Sequence, residues 1–206
     1  MTHRDMSVAD LEKTICATTP GRIMFQMCLA DTHEEIQNLI EDGIDWAALQ
    51  LTENAHLNQE LGEDKITIDI VNMLKSLNFD AAHDTQIGGH CDIVVRAKND
   101  FLWIGEAKVH SNYNWLHKGM AQLSTRYSTG VQGQDCGEIL VYTYAPRLDK
   151  ILAEWRDRVA ESVEEISIED LDRDRLIFRT THPHVRTGRP FRVRHKGISL
   201  HFDPKA

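Results

Sequence analysis

Two apolar runs separated by three polar residues constrain this chain more than any other feature. Cys91-Asp92-Ile93-Val94-Val95-Arg96 and Phe101 to Val109 flank Lys98-Asn99-Asp100. Short runs rich in Val, Ile and aromatics, bounded by turn residues, read as the two strands of a hairpin. Asn99 tolerates the left-handed backbone that a tight loop needs. With the loop centred on Asn99, residues whose numbers sum to 198 face one another. Asp92 then opposes Glu106, and His90 opposes Lys108. Side chains alternate across a strand, so Glu106 and Lys108 share a side. Directly opposed Cβ atoms lie roughly 5 Å apart. Two carboxylates and an ammonium therefore converge at one end of an otherwise apolar hairpin.

Opposed like charges destabilise a strand pair, and a half-buried carboxylate pair is costly without a cation. A divalent metal removes that repulsion. Oxygen ligands without Cys or His at ligand spacing favour magnesium, with manganese as a substitute, over zinc. A metal beside a lysine can orient a water and neutralise charge on a phosphoryl group, which suits hydrolysis of a phosphodiester. The competing reading is a structural salt bridge of Lys108 with Glu106 or Asp92.

The chain has 206 residues, 41% of them apolar and 27% charged, which fits a single soluble domain, 1–206. No apolar run nears the roughly 18 residues of a membrane helix, and the polar start does not read as a signal peptide. Cys16, Cys28, Cys91 and Cys136 form no C-x-x-C pair, which is compatible with a reduced cytoplasm.

Around the hairpin, Gly62 to Leu77 carries an apolar stripe (Ile66, Ile70, Met73, Leu74, Leu77) at helical spacing. Ala81 to Ile87 reads as extended and ends at Gly88-Gly89. Asn114 to Tyr127 reads as a helix, Glu138 to Tyr144 as a buried strand, and Leu148 to Val163 as a helix. Residues 1–59 form an N-terminal extension, mostly helical. In it Arg22 to Leu29 reads as a short strand after Pro20-Gly21, Asp31 or Thr32 caps a helix, Gly43 ends it, and a second helical stretch covers Trp46 to Leu51. Near the other end Leu176 to Arg179 reads as a strand. Phe191 to His195 and Ile198 to Phe202 flank Lys196-Gly197, a two-residue turn, giving a C-terminal β-hairpin. Phe191, Val193, Leu200 and Phe202 fall on one face; Arg192, Arg194, Ser199 and His201 fall on the other.

The net charge is −9, unevenly spread. The segment 173–206 holds nine Lys/Arg against two Asp/Glu, a charge of +7, so the other 172 residues carry −16. Such a tail is either a phosphate footprint, with Arg186, Arg189, Arg192 and Arg194 as nucleic-acid contacts, or a segment that docks on the acidic body. His182 and His184 lack acidic or thiol neighbours for a zinc site. Trp103, Trp115, Tyr113 and Phe101 read as core rather than as base-stacking platforms.

Asp92 followed, after thirteen residues, by Glu106-Ala107-Lys108 resembles the D…(D/E)-x-K signature of the restriction-endonuclease-like nucleases, the PD-(D/E)xK superfamily. The resemblance covers about residues 60–144, with Cys91 where many members have proline. It implies an α/β fold with a central mixed β-sheet of about four strands flanked by helices. By resemblance, Asp92 and Glu106 ligate the metal with the Ala107 carbonyl as third ligand. Lys108 orients or activates the attacking water. Glu63, with Glu60 as the alternative, is the acidic residue of the first helix and binds metal. Gln122 positions substrate or Lys108, and pairs with Tyr127 at a spacing one residue longer than the usual form. Gly88-Gly89 would let a nucleic-acid backbone approach closely. The expected activity is a magnesium-dependent DNA endonuclease, acting as a homodimer, with targeting supplied by a partner protein and roles such as phage defence by analogy. The alternative is a non-cleaving nucleic-acid-binding or assembly module that keeps the nuclease fold.

Overall fold

The computed structural model describes residues 7–205. Residues 1–6 of the N-terminal extension and residue 206 of the basic segment lie outside them. The chain forms α1 (Val8–Ile15), α2 (Thr19–Leu29), α3 (His33–Glu53), α4 (Glu63–Ser76), β1 (Asp80–Gln86), β2 (His90–Arg96), β3 (Leu102–Val109), α5 (Tyr113–Gln122), β4 (Cys136–Thr143), α6 (Leu148–Ser162), β5 (Ser167–Ile168), β6 (Ile177–Pro183) and β7 (Pro190–Ser199). The seven strands make one mixed sheet in the order β1-β2-β3-β4-β7-β6-β5. β3, β4 and β7 run parallel, and the other pairings are antiparallel. The α/β class and the mixed sheet with flanking helices agree with expectation. The sheet has seven strands rather than about four, because β7 adds to β4 and brings β6 and β5 with it. No boundary therefore falls near residue 144.

Alternation of side chains gives the sheet two apolar faces. Ile93, Val95, Trp103, Ala107, Leu140 and Tyr142 meet α3 and α4 on one side. Val94, Leu102, Ile104, Ile139, Val141 and Val193 meet α5 and α6 on the other. Burial on both faces explains why every residue of β4 is buried and why its sequence reads as a continuous apolar run. No helix among the described residues is long and apolar enough to cross a membrane.

Three local expectations need correction. Arg22 to Leu29 is helix, not strand: the Thr18 side chain accepts from Gly21 N–H and Pro20 sits in the first turn, so the segment opens with helix-start chemistry. Thr32 caps α3 in a capping box with Glu35, as expected, but Gly43 does not end the helix. A Cβ there would lie 3.0 Å from both Leu74 and Phe79, so the glycine serves close packing of α3. Lys196-Gly197 is not a turn. β7 runs through it, with Gly197 paired to Val141. A Cβ at Gly197 would sit 2.7 Å from Leu152 and 2.8 Å from Leu148 of α6, so glycine is needed for clearance. The C-terminal hairpin is instead β6–β7, closed by a turn in which His184 N–H donates to the Arg189 carbonyl at 2.8 Å.

Candidate active site

The β2–β3 hairpin has the expected register, pairing Ile93 with Gly105, Val94 with Ile104 and Arg96 with Leu102. Asn99 takes a left-handed φ of 61°. The ladder stops at Ile93. Beyond it, Ala107 N–H donates to Asp92 Oδ2 at 2.8 Å, so a side-chain carboxylate replaces the strand carbonyl. Glu106 and Lys108 point to the α5 side, where Gly119 leaves room for them. A Cβ on Gly119 would lie 3.1 Å from Lys108 Cγ and 3.3 Å from Glu106 Cγ.

Three carboxylates surround the Lys108 ammonium. Nζ lies 2.7 Å from Glu106 Oε1, 3.2 Å from Glu63 Oε1 and 3.6 Å from Asp92 Oδ2. Nζ also donates to the Ala107 carbonyl at 2.8 Å. Glu63 opens α4, and its Oε2 accepts Val109 N–H at 2.8 Å. Of the two candidate helix acids, the structure brings in Glu63. Glu60 precedes the helix in a left-handed conformation, φ 61°, and is exposed. The Glu106 side chain is only 1% exposed and that of Lys108 5%, whereas Asp92 and Glu63 are about a quarter open, so the cluster meets solvent through those two acids.

Burial and the adjacent Asp92 charge push the Glu106 carboxyl up to about 7, against the pull of Lys108. Burial also raises Asp92. Burial disfavours the Lys108 charge, but Glu106 and Asp92 outweigh it and hold the ammonium above its ordinary pKa. Lys108 is therefore a protonated donor. With all four groups ionised the cluster carries a net charge of −2.

The donor set suits a hard divalent cation. It holds oxygen donors only, the buried Glu106 Oε2 has no hydrogen-bond partner, and Asp92 Oδ1 takes no hydrogen bond from the described residues. Among the described residues no group of three or more His, Cys, Asp or Glu side chains is placed to hold a metal ion together. Magnesium does not require such a group, since it usually takes one or two carboxylates and keeps several waters. The Ala107 carbonyl, expected as a third ligand, is engaged by Lys108.

Gln122 does not reach Lys108. Its Nε2 donates to the Tyr127 hydroxyl at 3.0 Å. The helix after α5 changes period: Leu123–Tyr127 is a π-turn. With five residues per hydrogen-bonded turn, the extra residue between Gln122 and Tyr127 is absorbed and the two meet. Tyr127 is core, as expected. Gly88 and Gly89 face this same turn: a Cβ on Gly88 would lie 2.2 Å from the Arg126 carbonyl. Gly88 therefore admits the protein's own backbone, and Gly89 admits the Tyr127 ring. His90 binds Asp84 at 2.8 Å rather than facing Lys108.

One residue of the site escaped the sequence reading. Trp115 Nε1 donates to Glu63 Oε2 at 3.4 Å, and Lys108 Nζ stands 5.3 Å from its ring centroid. The available signal was spacing: Trp115, Gly119 and Gln122 share one face of α5.

The basic tail is largely neutralised within the molecule. Arg194 is fully buried, 2.8 Å from Glu138 and 3.0 Å from Asp45. Arg179 pairs with Glu41, Arg175 and Lys196 with Asp45, Arg192 with Asp135, and Arg173 with Asp149. Arg194 is thus no nucleic-acid contact. Its face of β7 carries Arg192 as expected, but because the strand runs on through Lys196-Gly197 that face continues into Ile198 and Leu200 rather than Ser199. Leu200 is thereby separated from Phe191 and Val193, and the face turns toward the acids of α3 rather than to solvent. Arg192 lies on that face with its charge paired. Arg186 and Arg189 remain exposed and have no carboxylate partner among the described residues. His184 binds Ser128 at 2.8 Å, and His182 lines a groove of about 460 Å³ between α5 and the β6–β7 turn.

No family model, curated protein or solved structure matches the chain. The functional reading rests on the geometry of its own residues.

Proposed function

We propose that the chain is a magnesium-dependent nuclease that hydrolyses phosphodiester bonds in DNA, cutting internally, at the cluster of Asp92, Glu106 and Lys108. The observation that carries this reading is three carboxylates gathered within 3.6 Å of one buried ammonium, with an unpartnered Glu106 oxygen among them. Asp92 and Glu106 would hold the ion, with Glu63 alongside; when bound, it supplies positive charge for the phosphoryl oxygens. Manganese would serve in its place. Lys108 stays protonated, so it orients the attacking water and offsets developing negative charge rather than accepting the water's proton. Trp115 and Val109 N–H fix Glu63, and Gly119 lets α5 close over the pair.

A second reading is a non-cleaving module that keeps this fold. One observation favours it: Lys108 already compensates the carboxylates. Incubation with supercoiled, linear and single-stranded DNA separates the two. The nuclease should cut with magnesium and not in chelator, and Lys108→Ala and Glu106→Ala should abolish cutting while leaving a folded protein. Wild-type cutting by Lys108→Ala, or none by the native chain, would overturn the proposal. DNA binding without cutting, and without a magnesium-dependent rise in melting temperature, would establish the module.

A further inference from the structure

Exposed cations without a carboxylate partner occur at several places among the described residues, Lys13, Lys75, Arg96, Lys150 and Arg189 included. Lys118 on α5, Arg126 in the π-turn and Arg186 in the β6–β7 turn are exposed, and none forms an ion pair among the described residues. Six cations of the tail, by contrast, each face a carboxylate.

These three are also contiguous with the carboxylate cluster. Lys118 Nζ stands 4.7 Å from the Trp115 ring, whose indole binds Glu63. Four residues on is Gln122, and four further is Arg126. Arg186 Nη2 donates to the Thr125 carbonyl at 2.9 Å, which fixes it beside Arg126. A Cβ on Gly89 would touch Tyr127 at 3.0 Å, and the field of Glu106 and Asp92 reaches the Tyr127 hydroxyl. The row therefore runs along one edge of α5 past the acids. Arg126 gains from the negative end of the helix, but Lys118, mid-helix, and Arg186, on another element, do not share that reason.

We propose that Lys118, Arg126 and Arg186 form the track that holds the phosphate backbone of a nucleic-acid strand beside the Asp92–Glu106–Lys108 cluster. This rests on the nuclease reading and relocates the interface from the β7 strand to the α5 edge. Lys118 to Arg126 spans eight residues, about 12 Å of helix. A strand carries one phosphate per roughly 3.4 Å of duplex axis, so the row passes about three or four phosphates. Gln122, between the two cations, adds a neutral donor at the same edge.

Binding of a fluorescent DNA oligonucleotide, single-stranded and duplex, measured by anisotropy in chelator across a salt series, tests the track without turnover. Each phosphate contact contributes about 0.7 to the log–log salt slope for a single strand and about 0.9 for a duplex. Lys118→Gln/Arg126→Gln/Arg186→Gln should flatten the slope by about 2 to 3 and weaken binding at low salt by roughly 100-fold. Arg192→Gln, whose native charge is paired with Asp135, should leave the slope unchanged. Because Arg186 also holds the turn, Lys118→Gln/Arg126→Gln serves as the second variant, with a fall of about 1.5. An unchanged slope in both variants overturns the track, as does absence of binding by the native chain. Cutting by the native chain in magnesium, scored separately, shows whether the nuclease reading survives that outcome.

Discussion

Replacing Lys108 by methionine keeps the aliphatic stem and removes the charge that three carboxylates share. In the native chain the Glu106 side chain is 1% exposed with Nζ at 2.7 Å. Removing one partner of a buried ion pair costs about 3–5 kcal/mol, because the remaining charge stays desolvated. The cluster has an escape: Glu106, raised to about 7 even with the ammonium present, can take up a proton. Without Lys108 its pKa rises further. A carboxyl whose folded pKa exceeds its unfolded one binds more protons when folded, so its stability is full below the unfolded pKa and falls as pH rises through the folded one. Lys108→Met should therefore lose little stability at pH 6 and up to about 2.8 kcal/mol more at pH 8, since this one group changes stability by at most about 1.4 kcal/mol per pH unit. Urea unfolding in chelator at both pH values measures this. Magnesium should then stabilise the variant more than the native chain, since the ammonium no longer competes for the same oxygens. If Lys108→Met is within about 1 kcal/mol of native stability at pH 8, or magnesium stabilises both chains equally, Lys108 is not what compensates these acids.

Three further outcomes follow from the same geometry. Arg194→Met should destabilise by about 3–5 kcal/mol in urea unfolding, since it leaves Glu138 buried beside Glu41 without a cation, while the DNA salt slope is unaffected. Gly119→Ala should change stability by less than about 1 kcal/mol, because the helix gains what the contacts lose, yet lower the cleavage rate about tenfold by displacing Lys108 and Glu106. Burial lowers His195 from 6.5 to about 3; its Nδ1 accepts Trp155 Nε1–H at 3.1 Å, so it is neutral when folded. Its contribution is complete above about pH 6.5 and falls as acid takes the pH down toward 3, by about 1.4 kcal/mol per unit. The fall should flatten in His195→Gln when denaturation midpoints are compared at pH 7 and pH 5.

The hairpin and its acids were legible because local signals agreed. Lys98-Asn99-Asp100 sets the register, apolar runs on both sides fix the faces, and the stripe from Ile66 to Leu77 aims Glu63 inward. Glycine was not legible. Gly43 and Gly197 look like a helix stop and a hairpin turn, yet neither needs a left-handed backbone. Each removes a Cβ that would strike a neighbouring helix or strand. A glycine retained for clearance and one retained for conformation leave the same letter in the sequence. Only the packing of α3 on α4, and of α6 on β7, separates them. Gln122 and Tyr127 show the converse: their spacing is one residue longer than the usual form, and only the π-turn at Leu123–Tyr127 explains how the two still meet.

Charge was the least legible property, for a physical reason. A tail of +7 on a body of −16 satisfies both the docked and the phosphate-binding reading, because the sum does not say which charges meet. What decides is that β7 lies parallel to β4 beneath α3, which sets Arg194 against Asp45 across 149 residues of sequence. Once paired in a buried network, a cation contributes little field to solvent and cannot reach a phosphate without exposing its partner. The cations able to meet a polyanion are therefore those the fold leaves unpaired. In this chain three of them, Lys118, Arg126 and Arg186, follow α5 past the carboxylates, so net charge and local affinity for a polyanion need not share a sign.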